Sequence, residues 1–125
     1  MQRKIQIKRI YESPSDSDGL RVLADRLWPR GVSKEEAKLD VWAKELAPSN
    51  DLRKWLHEDY ARYDRFVSKY EAELNERHSE IQQFCADHQD KTTTLLTSTK
   101  QIERSHTPVL KAYLERVIAE IDPPD

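Results

Sequence analysis

The chain has 125 residues, 14.8 kDa and one cysteine, and its 21 Lys and Arg nearly balance 23 Asp and Glu for a net charge of −2. That length sets a single domain over residues 1–125 that can bury about two-thirds of its unfolded surface without a staple. The balance removes the broad positive field of a general DNA binder, and one cysteine leaves no intrachain disulfide and no cysteine zinc cluster. No targeting segment, membrane span, repeat or low-complexity tract is expected, which points to the cytoplasm. The tail at residues 122–125 is expected to fray.

Residues 5–11 (IQIKRIY) alternate apolar and polar side chains, the period of a strand with one covered face. A Ser-, Pro- and Asp-rich loop follows and ends on the turn pair Asp18-Gly19. Residues 21–28 form a second expected strand. Eight loop residues are short for a parallel crossover, so local reasoning alone favours an antiparallel hairpin. Ser33 and Glu36 make a capping box for a short helix over residues 33–38. Residues 41–46 read equally as strand or irregular chain, and Ser49 caps a helix over residues 51–57.

Tyr60, Tyr63, Val67, Tyr70 and Leu74 repeat at helical spacing, and Ile81, Phe84 and Cys85 resume the stripe. One helix over residues 60–88 would run about 43 Å, too long for a small domain, so a break is expected near residues 75–79 with Ser79 as the new cap. Residues 92–98 (TTTLLTS) are β-branched and short, a third strand. Thr107 at the cap and Pro108 at the first helical position start a last helix, striped by Leu110, Leu114, Val117, Ile118 and Ile121.

The stretch DRLWPRG (residues 25–31) sets Asp25, Arg26, Trp28 and Arg30 where the second strand empties into a turn. Open α/β proteins bind ligands at such carboxyl strand ends. Arg26 and Arg30 carry the planar fork that suits phosphate or carboxylate. Asp25 is either a general base or, in the favoured reading, the partner of one of these arginines. Trp28 either stacks on a ligand or packs. His106, with Ser105, stands at a helix start opposite, and imidazole is the side chain whose ordinary titration near neutrality suits proton transfer. Arg9, Tyr11 and Arg21 lie on or near the same expected rim. His57 and Asp59 with His106 make only a weak metal pattern, Cys85 sits on an apolar stripe, and two glycines allow no phosphate loop, so neither metal nor cofactor is expected.

Two longer strings carry a family resemblance. DGLRVLADRLWPRG at residues 18–31, and KELAPSNDLRKW at residues 44–55 followed by His57 and Asp59, resemble the domain-of-unknown-function 488 family in its YeaO-like branch. The resemblance spans about residues 7–114. It implies an α/β fold: a small, open, mostly parallel sheet of three or four strands with helices packed on it in Rossmann-like layering. That implication runs against the hairpin. The branch commonly has an aromatic, an Asp and Asn-His after the last strand. Here His106 matches, whereas Thr97, Gln101 and Ser105 depart. Related branches place a cysteine where Thr97 stands, so thiol chemistry is not implied.

Sequence alone thus leads to two functional expectations. The first is a pocket for a small phosphate- or carboxylate-bearing anion at the carboxyl ends of the strands, with Asp25 and His106 as the proton-transfer candidates. The alternative is an interaction module whose Arg/Trp rim meets a protein or nucleic acid. Oligomeric state and reaction are left open.

Overall fold

The computed structural model describes residues 4–88 and 91–121; the tail at residues 122–125 lies outside them. Four strands form one parallel sheet: β1 (Ile5–Arg9), β2 (Leu20–Leu23), β3 (Val41–Trp42) and β4 (Thr93–Thr97), in the order β1-β4-β2-β3. The helices are α1 (Lys34–Ala37), α2 (Asn50–Glu58), α3 (Tyr63–Glu76), α4 (His78–Asp87) and α5 (Thr107–Ile121).

The sheet is parallel throughout, as the family resemblance implies, and the hairpin reading of the first two strands fails. β4 inserts between β1 and β2, so these two never pair. The loop is long enough to run back across the sheet face even though Asp16–Asp18 are wound into a 3-10 turn. Ten residues reach about 33 Å, roughly twice the length of a five-residue strand. Its path is pinned by sheet side chains: Lys8 donates to the Ser13 carbonyl, Gln6 to the Ser17 carbonyl and Thr94 to the Asp18 carbonyl. Ser15 caps the turn at Asp16–Asp18 with a complete capping box.

Strand alternation divides the apolar residues between two faces. Leu20, Val22 and Leu95 face the large core under α2 to α5, with Phe66, Tyr70, Leu74, Ile81, Leu110 and Leu114. Leu23 and Leu96 face a smaller core with Ile10 and Ala37, against which Trp28, Val32 and Trp42 pack. The chain leaves β2 toward α1 on the second face, whereas it leaves β4 toward α5 on the first. The carboxyl ends of β2 and β4 therefore flank a topological switch point, the place where open parallel sheets form a crevice.

Local chemistry places most element ends. Ser33 and Glu36 form the expected capping box on α1, and Ser49 caps α2 through the Leu52 N–H. The long helical region breaks at Arg77 between α3 and α4. Ser79 is not the cap there; it is already the second residue of α4. β2 ends at Leu23 rather than reaching Trp28, since Ala24 makes the last rung, its N–H donating to the Leu96 carbonyl.

Candidate functional site

Asp25 is the first residue past that last rung, and Thr97 is the final residue of β4, so the two meet across the ladder. The Thr97 hydroxyl donates to Asp25 Oδ1 at 2.8 Å. The Ser98 N–H and hydroxyl donate to Oδ2 at 2.8 and 3.0 Å. His106, just before α5, places Nε2 3.2 Å from Oδ1 and 2.8 Å from the Ala24 carbonyl. Both neighbours of Nε2 are acceptors, so that nitrogen carries a proton and donates to them. Burial pushes the Asp25 carboxyl up, but the His106 imidazole, the Ser98 N–H and the Thr97 hydroxyl outweigh it and hold it below the ordinary carboxylate range.

The expected Asp25–arginine pair is absent. Arg26 instead turns to backbone: it donates to the Pro48 carbonyl at 3.0 Å and the Ala47 carbonyl at 3.2 Å, tying the loop after β2 to the start of α2. Trp28 donates its indole N–H to the Val32 carbonyl and meets Trp42 edge to face at 5.2 Å. Trp42 in turn donates to the Asp25 carbonyl, which fixes the backbone under the carboxylate.

Around this pair opens a cleft of about 370 Å³. Both segments singled out in the sequence, residues 25–30 and 97–106, line it, Ser105 among them, and Tyr11 closes one edge. A third wall comes from α2, which supplies Arg53, Leu56 and His57. The lining therefore carries four guanidiniums, on Arg26, Arg30, Arg53 and Arg104, against the single carboxylate of Asp25. Arg53 Nε is the only buried side-chain nitrogen or oxygen among the described residues without a hydrogen-bond partner. Burial, then the Arg53 and His106 charges, push the His57 imidazole below its ordinary value.

Two of the residues singled out in the sequence stand outside the cleft lining. Arg9 donates to the Thr99 and Ser98 carbonyls and lies over the Tyr11 ring, clamping the loop after β4 from behind. Arg21 is 5% exposed and is spent on Asp18 and the Ala37 carbonyl, on the α1 face of the sheet. Conversely, Arg53 was readable only as part of the LRKW string, with nothing to mark it as a contact. Its one signal was a cation inside a helix that begins beside Pro48. Among the described residues no group of three or more His, Cys, Asp or Glu could hold a metal. No helix of the described residues is long and apolar enough to cross a membrane.

Comparison with known proteins agrees with this architecture in extent. The family model DUF488-N3i, described as the inactive DUF488-N3 subclade, matches residues 4–125. The uncharacterised protein YeaO of Escherichia coli K12 is 41% identical over 110 residues, covering 88% of this chain and 96% of YeaO. Uncharacterised proteins of Mycobacterium tuberculosis H37Rv and Mycobacterium bovis are each 35% identical over 113 residues, covering 89% of this chain and 93% of theirs. No solved structure matches the chain.

Proposed function

The chain belongs to the DUF488-N3i family, and from that premise we propose that it is a cytoplasmic protein that binds a small phosphate- or carboxylate-bearing anion in the cleft at the carboxyl ends of β2 and β4. The observation that carries the reading is Arg53. Its Nε is buried and unpartnered in a cleft where guanidiniums outnumber carboxylates four to one. A buried donor without an acceptor costs about 1–3 kcal/mol, and an anion that draws the Arg53 guanidinium into the cleft would supply the acceptor. The Arg30 and Arg104 side chains make no hydrogen bond or ion pair with other described residues, so their charge is available to a ligand.

Binding without turnover fits better than catalysis. His106 is oriented by Asp25 as a base would be, yet the nearby hydroxyls are already committed. Thr97 and Ser98 donate to Asp25, and Ser105 donates to the Ile102 carbonyl. Among the described residues these contacts assemble no nucleophile–base–orienter set. The family's description as an inactive subclade agrees. The cytoplasmic setting rests on the single cysteine, which leaves no intrachain disulfide to require an oxidising compartment.

Titration calorimetry with inorganic phosphate and with acetate at low ionic strength tests the reading. Saturable binding that weakens about tenfold or more in Arg53→Gln supports it. Equal heats for the two proteins count against it.

A further inference from the structure

Among the described residues three large apolar side chains are exposed: Tyr11 at 49%, Leu27 at 59% and Tyr60 at 42%. All three line the same cleft. They come from three separate parts of the chain, the segment after β1, the loop after β2 and the turn before α3, so their convergence is a product of the fold. An inorganic anion held by Arg53 would touch none of this surface productively. From this convergence we infer that the ligand is an anion whose charged head is joined to an aromatic body. The head lies against the guanidiniums and the body lies on the rim of Tyr11, Leu27 and Tyr60. The inference rests on the anion-binding reading above and adds the chemical class of the ligand.

The rim is built to receive a ring. The Tyr11 hydroxyl donates to the Arg30 carbonyl at 3.1 Å and its ring is backed by Arg9. Tyr60 stacks on His57 with ring centroids 5.8 Å apart. Both phenols are thus held in position before any ligand arrives, which lowers the ordering cost of binding. Two of the three rim residues are aromatic, and a ring set against them in offset or edge-on contact gains beyond the area it buries. The volume, about 370 Å³, lies within the roughly 300–1,000 Å³ typical of small-molecule clefts.

The test uses four probes against the full chain: inorganic phosphate, phenyl phosphate, phenylacetate and benzyl alcohol. Affinities are read by calorimetry, and contacts by chemical-shift changes at Arg53, Leu27 and Tyr60. Phenyl phosphate or phenylacetate is expected to bind about tenfold or more tightly than inorganic phosphate. Whichever of the two is tighter identifies the head group. Leu27→Ser and Tyr60→Ser, both at exposed positions, are expected to erase that advantage and leave phosphate binding unchanged. Arg53→Gln should weaken the ring-bearing anions and phosphate alike. Equal binding of phosphate and phenyl phosphate overturns the aromatic body and leaves the anion site standing. Benzyl alcohol binding as tightly as phenyl phosphate, with no effect of Arg53→Gln, overturns the anion site itself. Binding of none of the four overturns both.

Discussion

Asp25 and His106 come from opposite ends of the chain and meet at 3.2 Å, with the Ala24 carbonyl as the second acceptor of the same imidazole N–H. The pair closes the gap between the end of β2 and the start of α5, so it holds the floor of the cleft together. Removing the carboxylate would strand three donors, the Thr97 and Ser98 hydroxyls and the Ser98 N–H, and would leave His106 with the Ala24 carbonyl alone. Asp25→Ala should cost about 1–3 kcal/mol in urea denaturation, the range for leaving partly buried donors without their acceptor. Asp25→Asn should cost less, since the amide oxygen keeps an acceptor. A loss under about 0.5 kcal/mol in Asp25→Ala would mean that the pair is not structural.

Acid sensitivity follows from the same carboxylate. Its folded pKa lies below the ordinary 3.8, because the His106, Ser98 and Thr97 contacts outweigh burial. The unfolded chain therefore binds more protons there. The group's contribution is complete above 3.8 and is lost as pH falls through the folded value. Asp18 acts in the same direction: burial raises it, and Lys8, the Ser15 N–H and Arg21 lower it further. Urea midpoints should fall steadily from about pH 5 toward about pH 2, and Asp25→Asn should flatten that slope. An unchanged slope in the variant would remove Asp25 from the account.

His57 offers a reading of ligand charge without any activity assay. Burial, Arg53 and His106 push its imidazole down. An anion held at Arg53 would offset those charges and raise it again. Imidazole resonances followed by NMR against pH should show an upward shift of His57 in saturating phosphate, and Arg53→Gln should shift His57 upward without phosphate. A His57 curve that phosphate does not move would place the anion elsewhere.

The two glycines separate backbone strain from steric exclusion. Gly19 has φ +63°, and a Cβ there would sit 2.1 Å from the Thr92 carbonyl oxygen. Gly31 has φ +78° but meets nothing within 4 Å. Gly31→Ala should cost only the left-handed penalty of about 1–2 kcal/mol. Gly19→Ala should cost clearly more, because the loop that carries Asp18 must move off β4. Thermal unfolding of the two variants side by side checks the order.

Arg21 serves the fold outside the cleft lining, whereas Arg26 ties the fold together from within it. Arg21→Met leaves Asp18 buried with Lys8 as its remaining cation and should cost about 3 kcal/mol. Arg26→Ala frees the Ala47 and Pro48 carbonyls and should cost about 1–3 kcal/mol. Arg53→Gln should change stability little while changing binding. A binding loss in Arg21→Met at temperatures where it stays folded would reverse this assignment.

Much of the architecture is legible in the residues themselves. Ser33 with Glu36, Ser49, and Thr107-Pro108 are local signals, and each marks a helix start within a residue or so of the observed one. The β-branched TTTLLTS run becomes the central strand β4, because its alternate residues can be buried on both faces. The parallel sense of the sheet was not local. Loop length suggested a hairpin, and only the insertion of β4 between β1 and β2 shows why a ten-residue crossover suffices.

The candidate site divides along the same line. Sequence by itself determined that Asp25, Arg26, Trp28 and Arg30 stand together after a strand and that Ser105 and His106 stand before a helix, since adjacency along the chain and capping chemistry act over a few residues. Tertiary structure alone decided what each one touches. It gave Asp25 to His106 and Thr97 rather than to an arginine, turned Arg26 to backbone carbonyls, buried Arg21 on the far face, and brought Arg53 and Tyr60 to the cleft. The reason is physical. A carboxylate at a strand end pairs with whatever the neighbouring strand and the next helix start present across about 5 Å of sheet, and which strand is the neighbour is set by topology, which the spacing of charges along the chain does not encode.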